Sequence, residues 1–140
     1  GPAYQVIHSA WRKEDKIVGL YAKNLPPNHD PADLPLAAAP RFIEMCFQTA
    51  SLAGLALHRR LGLPHAFREL RFAGLASDPQ GNDCFAVVTP CGEDLYDVRL
   101  VDDSGNVLLV LRGYQTMAIP EPVPQDLLDP IQQGLAMNQG

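Results

Sequence analysis

Apolar positions along this chain switch between two periods, and the switches mark out its elements. Short apolar runs at residues 7–11 and 17–22 flank the charged turn Lys13-Glu14-Asp15-Lys16, which predicts a β-hairpin. Leu25 to Pro40 carries Pro26, Pro27, Pro31, Pro35 and Pro40. It is predicted irregular, because proline fits neither a helix interior nor a central strand. From Pro40 to about Leu61 the chain is apolar almost all round, the pattern of a buried helix that begins at a proline and stops at Gly62 and Pro64. Strand-like segments follow at 67–76, 84–89, 95–101 and 107–117. Pro79-Gln80-Gly81-Asn82 reads as one turn and Asp102-Asp103-Ser104-Gly105-Asn106 as another, with Gly105 free to take positive φ.

Hairpin, proline loop, one long apolar helix and antiparallel meander together predict an α+β domain. A single apolar helix is buried when a sheet curls around it, so the predicted architecture is the hot-dog fold, an antiparallel sheet wrapped around one long central helix. The 140 residues amount to one domain by length. Residues 1–120 are assigned to the hot-dog. Residues 121–140, rich in Pro and Gln with a weakly patterned Leu127 to Met137 segment, are assigned to a tail or linker.

Composition narrows the function class. With 46% hydrophobic and 19% charged residues the chain is ordinary globular material. A net charge of -5 and the lack of Lys/Arg runs argue against a nucleic-acid partner, whose phosphates reward a basic face. Arg59-Arg60, or Arg68 and Arg71, would offer an acidic carrier only small local patches. No apolar run is long enough to span a bilayer, and no signal-peptide pattern opens the chain, so a cytoplasmic protein without a membrane partner is expected. Cys46, Cys84 and Cys91 form no C-x-x-C pair and are read as reduced thiols, with Cys46 a packing residue on the helix. No metal site is expected.

Candidate chemistry sits on the helix. Glu44, Gln48 and Ser51 fall at i, i+4 and i+7, on one face of an element the fold wants to bury. A carboxylate there is expensive unless something holds it. Burial would raise its pKa and suit it to general-acid work. The structural alternatives are a carboxylate favoured by the helix N-terminus and one paired to Arg41 three residues before. His58 near the helix C-terminus is read as structural, and His8, His29 and His65 as ordinary surface or core residues.

The chain resembles the C-terminal hot-dog half of dehydratase domains from type I polyketide synthases and the related polyunsaturated-fatty-acid synthases. The residues that carry the likeness are Pro40 with Glu44 and Gln48, similar to that family's Asp-x-x-x-Gln motif four residues after a proline. Gly1-Pro2-Ala3-Tyr4-Gln5 is similar to the Gly-x-x-Phe/Tyr-Gln segment that opens the second hot-dog. Tyr96-Asp97-Val98-Arg99-Leu100, Gly105-Asn106-Val107 and Arg112-Gly113-Tyr114 look like the closing hairpin. The likeness covers about Gly1 to Ile119. Glutamate stands at position 44 where the family has aspartate. The family's His-x-x-x-Gly-x-x-x-x-Pro motif is not matched, since His58 and Gly62 fit but Pro64 comes too early.

The resemblance implies dehydration of 3-hydroxyacyl thioesters to enoyl thioesters. A histidine in the other hot-dog takes the α proton, and Glu44 serves the departing hydroxyl, oriented by Gln48. Tyr4 and Gln5 would line the substrate cleft. No cofactor is implied; the substrate arrives on the phosphopantetheine of an acyl carrier protein. Implied partners are that carrier, an N-terminal dehydratase hot-dog or a second copy of this chain as a homodimer, and other synthase domains. Lacking the histidine, the isolated chain is expected to be incomplete or inactive, and a degenerate pseudo-dehydratase is one variant. The alternatives are a stand-alone hot-dog acyl thioesterase using Glu44, and a non-catalytic structural or carrier-docking domain.

Overall fold

The structure, a computed structural model, describes residues 1–30, 39–73 and 82–137. A 3-10 turn, Pro2–Tyr4, precedes a hairpin of β1 (Ile7–Lys13) and β2 (Lys16–Tyr21), which pair antiparallel with Lys13 opposite Lys16. The charged turn between them is closed by Glu14 in the left-handed conformation, its carbonyl accepting from Arg12 Nε. Half of the proline loop, residues 31–38, lies outside the described residues, as does most of the turn expected at 79–82.

Helix α1 runs Pro40–His58, with proline in its first turn, where the missing N–H has no intrahelical use. It ends about three residues earlier than the sequence predicts. Arg59 adopts the left-handed conformation at the C-terminus, its N–H bonding the carbonyl of Leu55, and Arg60 N bonds Gly54 O. Gly62 is therefore not the stop; it opens strand β3 (Gly62–Ala66), where a Cβ would come within 2.6 Å of the Thr116 side chain.

Of the strand expected at 67–76, residues 74–76 lie outside the described residues. Glu69–Phe72 forms β4, while Phe67 and Arg68 separate it from β3. Both strands lie along the same neighbour, β7 (Val107–Ala118), β3 beside its C-terminal half and β4 beside its N-terminal half. With β5 (Cys84–Gly92) and β6 (Leu95–Asp102), the seven strands among the described residues form an antiparallel sheet of order β1-β2-β5-β6-β7-β3, with β4 also on β7. Gly105 takes φ +84° in the β6–β7 turn, where Asp102 Oδ1 accepts from the backbone N–H groups of Ser104 and Asn106.

The sheet curls around α1. Phe42, Met45, Cys46, Ala50 and Ala53 on one side of the helix meet Ile17, Ala86, Val88, Val98, Leu100, Leu109 and Leu111 from the strands, all within one buried cluster. At about 1.5–3 kcal/mol for each large side chain removed from water, this interface dominates the fold's stability. Gly19 permits the closest approach: a Cβ there would sit 2.7 Å from Thr49 Oγ1. Cys46 is a packing residue whose thiol is pushed well above its ordinary range, first by burial and then by Cys84.

Within residues 121–140, assigned to a tail or linker, Gln125–Met137 forms helix α2, which packs on α1 and β1. Leu128 and Leu135 are buried and Ile131 joins the core between them, an i, i+3, i+7 stripe that the surrounding Pro and Gln residues obscure in the sequence. No helix among the described residues is long and apolar enough to cross a membrane.

Candidate functional site at the start of the central helix

Arg41 and Gln48 fix the opening turns of α1 against the N-terminal segment. Arg41 is buried, and its guanidinium donates to the carbonyls of Ala3 (2.9 Å) and Pro26. It thus ties the segment before β1 and the loop after β2 to the helix start, contacts that differ from the pairing with Glu44 offered for it from the sequence. Gln48 Nε2 donates to the Tyr4 carbonyl at 2.8 Å and to Glu44 Oε1 at 2.9 Å. Both partners are acceptors, so the amide orientation is dictated: one N–H is spent on each.

Glu44, Gln48 and the Tyr4 backbone therefore converge on one amide group. Glu44 is half-buried rather than buried. The core side of α1 is the face of Phe42, Met45, Cys46 and Thr49, and position 44 lies on the flank, so it does not enter the core. Tyr4 is half-buried, while Gln5 is exposed and its N–H bonds Pro2 O within the 3-10 turn. Ser51, predicted on the same helix face as Glu44, donates to the Phe47 carbonyl one turn back.

Two aromatic residues complete the surroundings of Glu44, and neither was offered as a site residue from the sequence. Phe47 stacks on Tyr114 of β7 with ring centroids 4.8 Å apart and an interplanar angle of 11°. Tyr114 is 1% exposed, and burial, then the charge of Glu44, then Tyr96, push its phenol far above the usual range. The Tyr114 hydroxyl is buried and without a hydrogen-bond partner among the described residues. Simple alternation from Leu109 and Leu111 would have turned Gly113 inward and Tyr114 outward. A bulge reverses this: the register slips between Tyr96 and Val98, Gly113 takes φ +62°, and Asp97 Oδ1 accepts the Gly113 N–H at 2.9 Å. A glycine followed by an aromatic inside a β-branched run is the sequence signal for such a bulge.

Elsewhere three of the arginines are held by local partners. Arg60 pairs with Glu93 (2.8 Å) and Asp94 (3.1 Å), Arg59 bonds Gln125, and Arg71 pairs with Glu69. A cleft of about 360 Å³ lined by Arg68, Cys91, Asp97 and Arg112, among others, lies on the far face of the sheet from Glu44. The Cys91 thiol there is exposed, and partial desolvation, then its contacts with Asp97, hold its pKa above the ordinary value.

Known proteins place this arrangement in context. The model of one protein family, described as the polyketide synthase dehydratase N-terminal domain, matches residues 1–126. Among solved structures, the dehydratase domain from the CurF module of the curacin polyketide synthase is similar at 22% identity and a TM-score of 0.65, over 85% of this chain and 41% of that one. The erythromycin dehydratase matches at 23% and 0.63, over 84% and 38%. The dehydratase domain from the CurK module of the curacin synthase matches at 20% and 0.63, over 91% and 43%. These likenesses bear out the hot-dog fold, and the chain spans about two-fifths of the length of each of these domains. No curated protein sequence matches.

Proposed function

The chain belongs to the polyketide synthase dehydratase family, and we propose that within it this is the second, acid-bearing hot-dog of a dehydratase region. The family description names the N-terminal domain; the assignment to the second half rests on Pro40, Glu44 and Gln48, on the opening Gly-x-x-Tyr-Gln segment, and on the unmatched histidine motif. The substrate is a 3-hydroxyacyl thioester on the phosphopantetheine of an acyl carrier protein. A histidine of the partner half removes the α proton, and the Cα–H electrons form the double bond. The Cβ–O bond breaks as Glu44 gives its proton to the hydroxyl, which leaves as water. Gln48 orients the carboxyl, and Tyr4 and Gln5 border the cleft.

The observation that carries this reading is the single Gln48 amide shared by Glu44 and the Tyr4 carbonyl. It joins the acidic motif to the segment that resembles the family's second-half opening. The partner hot-dog, whether the histidine-bearing half or a second copy, is proposed to seat along β3. Among the described residues that strand ends the sheet, and around it Leu63, Met117 and Phe67 are 55%, 57% and 48% exposed, with Leu63 directly opposite Met117. An unpaired edge beside exposed apolar side chains favours a partner. Solution mass measurements finding this chain monomeric both alone and mixed with its histidine-bearing half would remove that seam.

The decisive experiment is Glu44→Gln within the complete synthase, following enoyl thioester by mass. Loss of a positioned general acid is expected to slow dehydration by roughly 10²–10⁴-fold. Unchanged enoyl formation would take Glu44 out of the mechanism and leave the domain a structural or degenerate role.

A further inference from the structure

We propose that Tyr114 is a positioning residue for Glu44, its hydroxyl serving as a second hydrogen-bond partner of the carboxyl in the assembled dehydratase while Gln48 holds the first oxygen. The inference deepens the reading of Glu44 as the acid and rests on it. Its geometry is independent of the helix motif. The bulge at Gly113 turns Tyr114 inward, against the alternation of its own strand, at the expense of a positive φ. The ring it delivers lies flat on Phe47, between Glu44 and Gln48 in sequence and on the same stretch of α1. Bulges of this kind re-aim side chains next to active sites. The hydroxyl that Tyr114 carries is buried without a partner among the described residues, so it is a donor still free to bond a nearby acceptor. Glu44 is the first charged group that the phenol feels.

Tyr96 supplies the internal comparison. It sits directly opposite Tyr114, is equally buried, and its hydroxyl is likewise unpartnered among the described residues. Its charged neighbours are Asp94 and Arg60, not Glu44. The two residues share an environment and differ in what they face.

The test is made in the complete dehydratase with Tyr114→Phe, Tyr96→Phe and Glu44→Gln. Tyr114→Phe is expected to keep the ring stack and hold or raise the thermal midpoint, yet lower kcat by about ten- to a hundredfold, the scale of a misplaced catalytic group, with KM changed less than about twofold. The alkaline limb of its pH–rate profile is expected to move upward, because the ionised carboxylate has lost a donor. Tyr96→Phe is expected to leave both unchanged. Wild-type kcat and pH profile in Tyr114→Phe, with Glu44→Gln inactive, would overturn this inference alone. Equal losses in both tyrosine variants would also overturn it, reducing Tyr114 to general packing. An active Glu44→Gln enzyme would bring it down together with the reading of Glu44.

Discussion

Replacing Gln48 by methionine tests the local architecture of the site without altering its volume. The substitution keeps an unbranched side chain of good helix propensity and removes both donors at once. The Tyr4 carbonyl loses a 2.8 Å bond and the Glu44 carboxylate a 2.9 Å bond. A neutral hydrogen bond contributes a net of about 0.5–1.5 kcal/mol and one to a charged group about 1.5–3 kcal/mol. Gln48 and Glu44 are both half-buried, so water takes over part of each bond. The lower ends of these ranges apply, and the expected loss is about 1–2 kcal/mol. That should lower the thermal midpoint by roughly 3–7 °C and the urea midpoint in proportion, with the m-value unchanged. The N-terminal segment would be held to α1 by Arg41 alone of these two side chains, so the amides of residues 2–5 should exchange faster with solvent. In the complete synthase the untethered Glu44 carboxyl should slow dehydration by about tenfold to a hundredfold. A variant with the wild-type urea midpoint and wild-type rate would show that the amide bridge neither fastens the segment nor orients the acid.

Gly113→Ala adds a Cβ to a residue at φ +62°, within 2.7 Å of the Arg68 side chain. The left-handed conformation alone predicts a loss of about 1–2 kcal/mol, read as a lower urea midpoint; an unchanged midpoint would mean that the bulge is not strained by a side chain. Asp102 is held below its usual carboxylate range by its bonds to Asn106, first through the side chain and then through the backbone, and by lesser ones to Ser104 and Gly105. Its contribution to the β6–β7 turn is therefore complete above the ordinary Asp pKa and is lost as pH falls through the depressed folded value. Wild type should lose amide protection at Ser104 and Asn106 on acidification, and Asp102→Ala should lack that protection at every pH; protection that ignores both would refute the Asx-turn reading.

The hydrophobic pattern by itself determined the two features that make this a hot-dog: one nearly all-apolar helix between prolines and glycines, and β-branched runs separated by turn residues. Spacing along that helix also brought Glu44 and Gln48 together, because i and i+4 are neighbours on any α-helix whatever surrounds it. Local chemistry likewise read the Asp102–Asn106 turn correctly. Tertiary structure decided the rest. Whether Glu44 is buried depends on which side of α1 the sheet covers, and the sheet takes the Phe42–Met45–Thr49 face, leaving Glu44 on the flank. That residues 125–137 form a helix depends on an apolar stripe of Leu128, Ile131 and Leu135 finding α1 and β1, an interaction with distant residues that composition conceals. That Tyr114 faces inward depends on a register slip between two strands, and register belongs to the pair, never to one strand's sequence. Periodicity is a property of a segment, but burial and facing are properties of what packs against it.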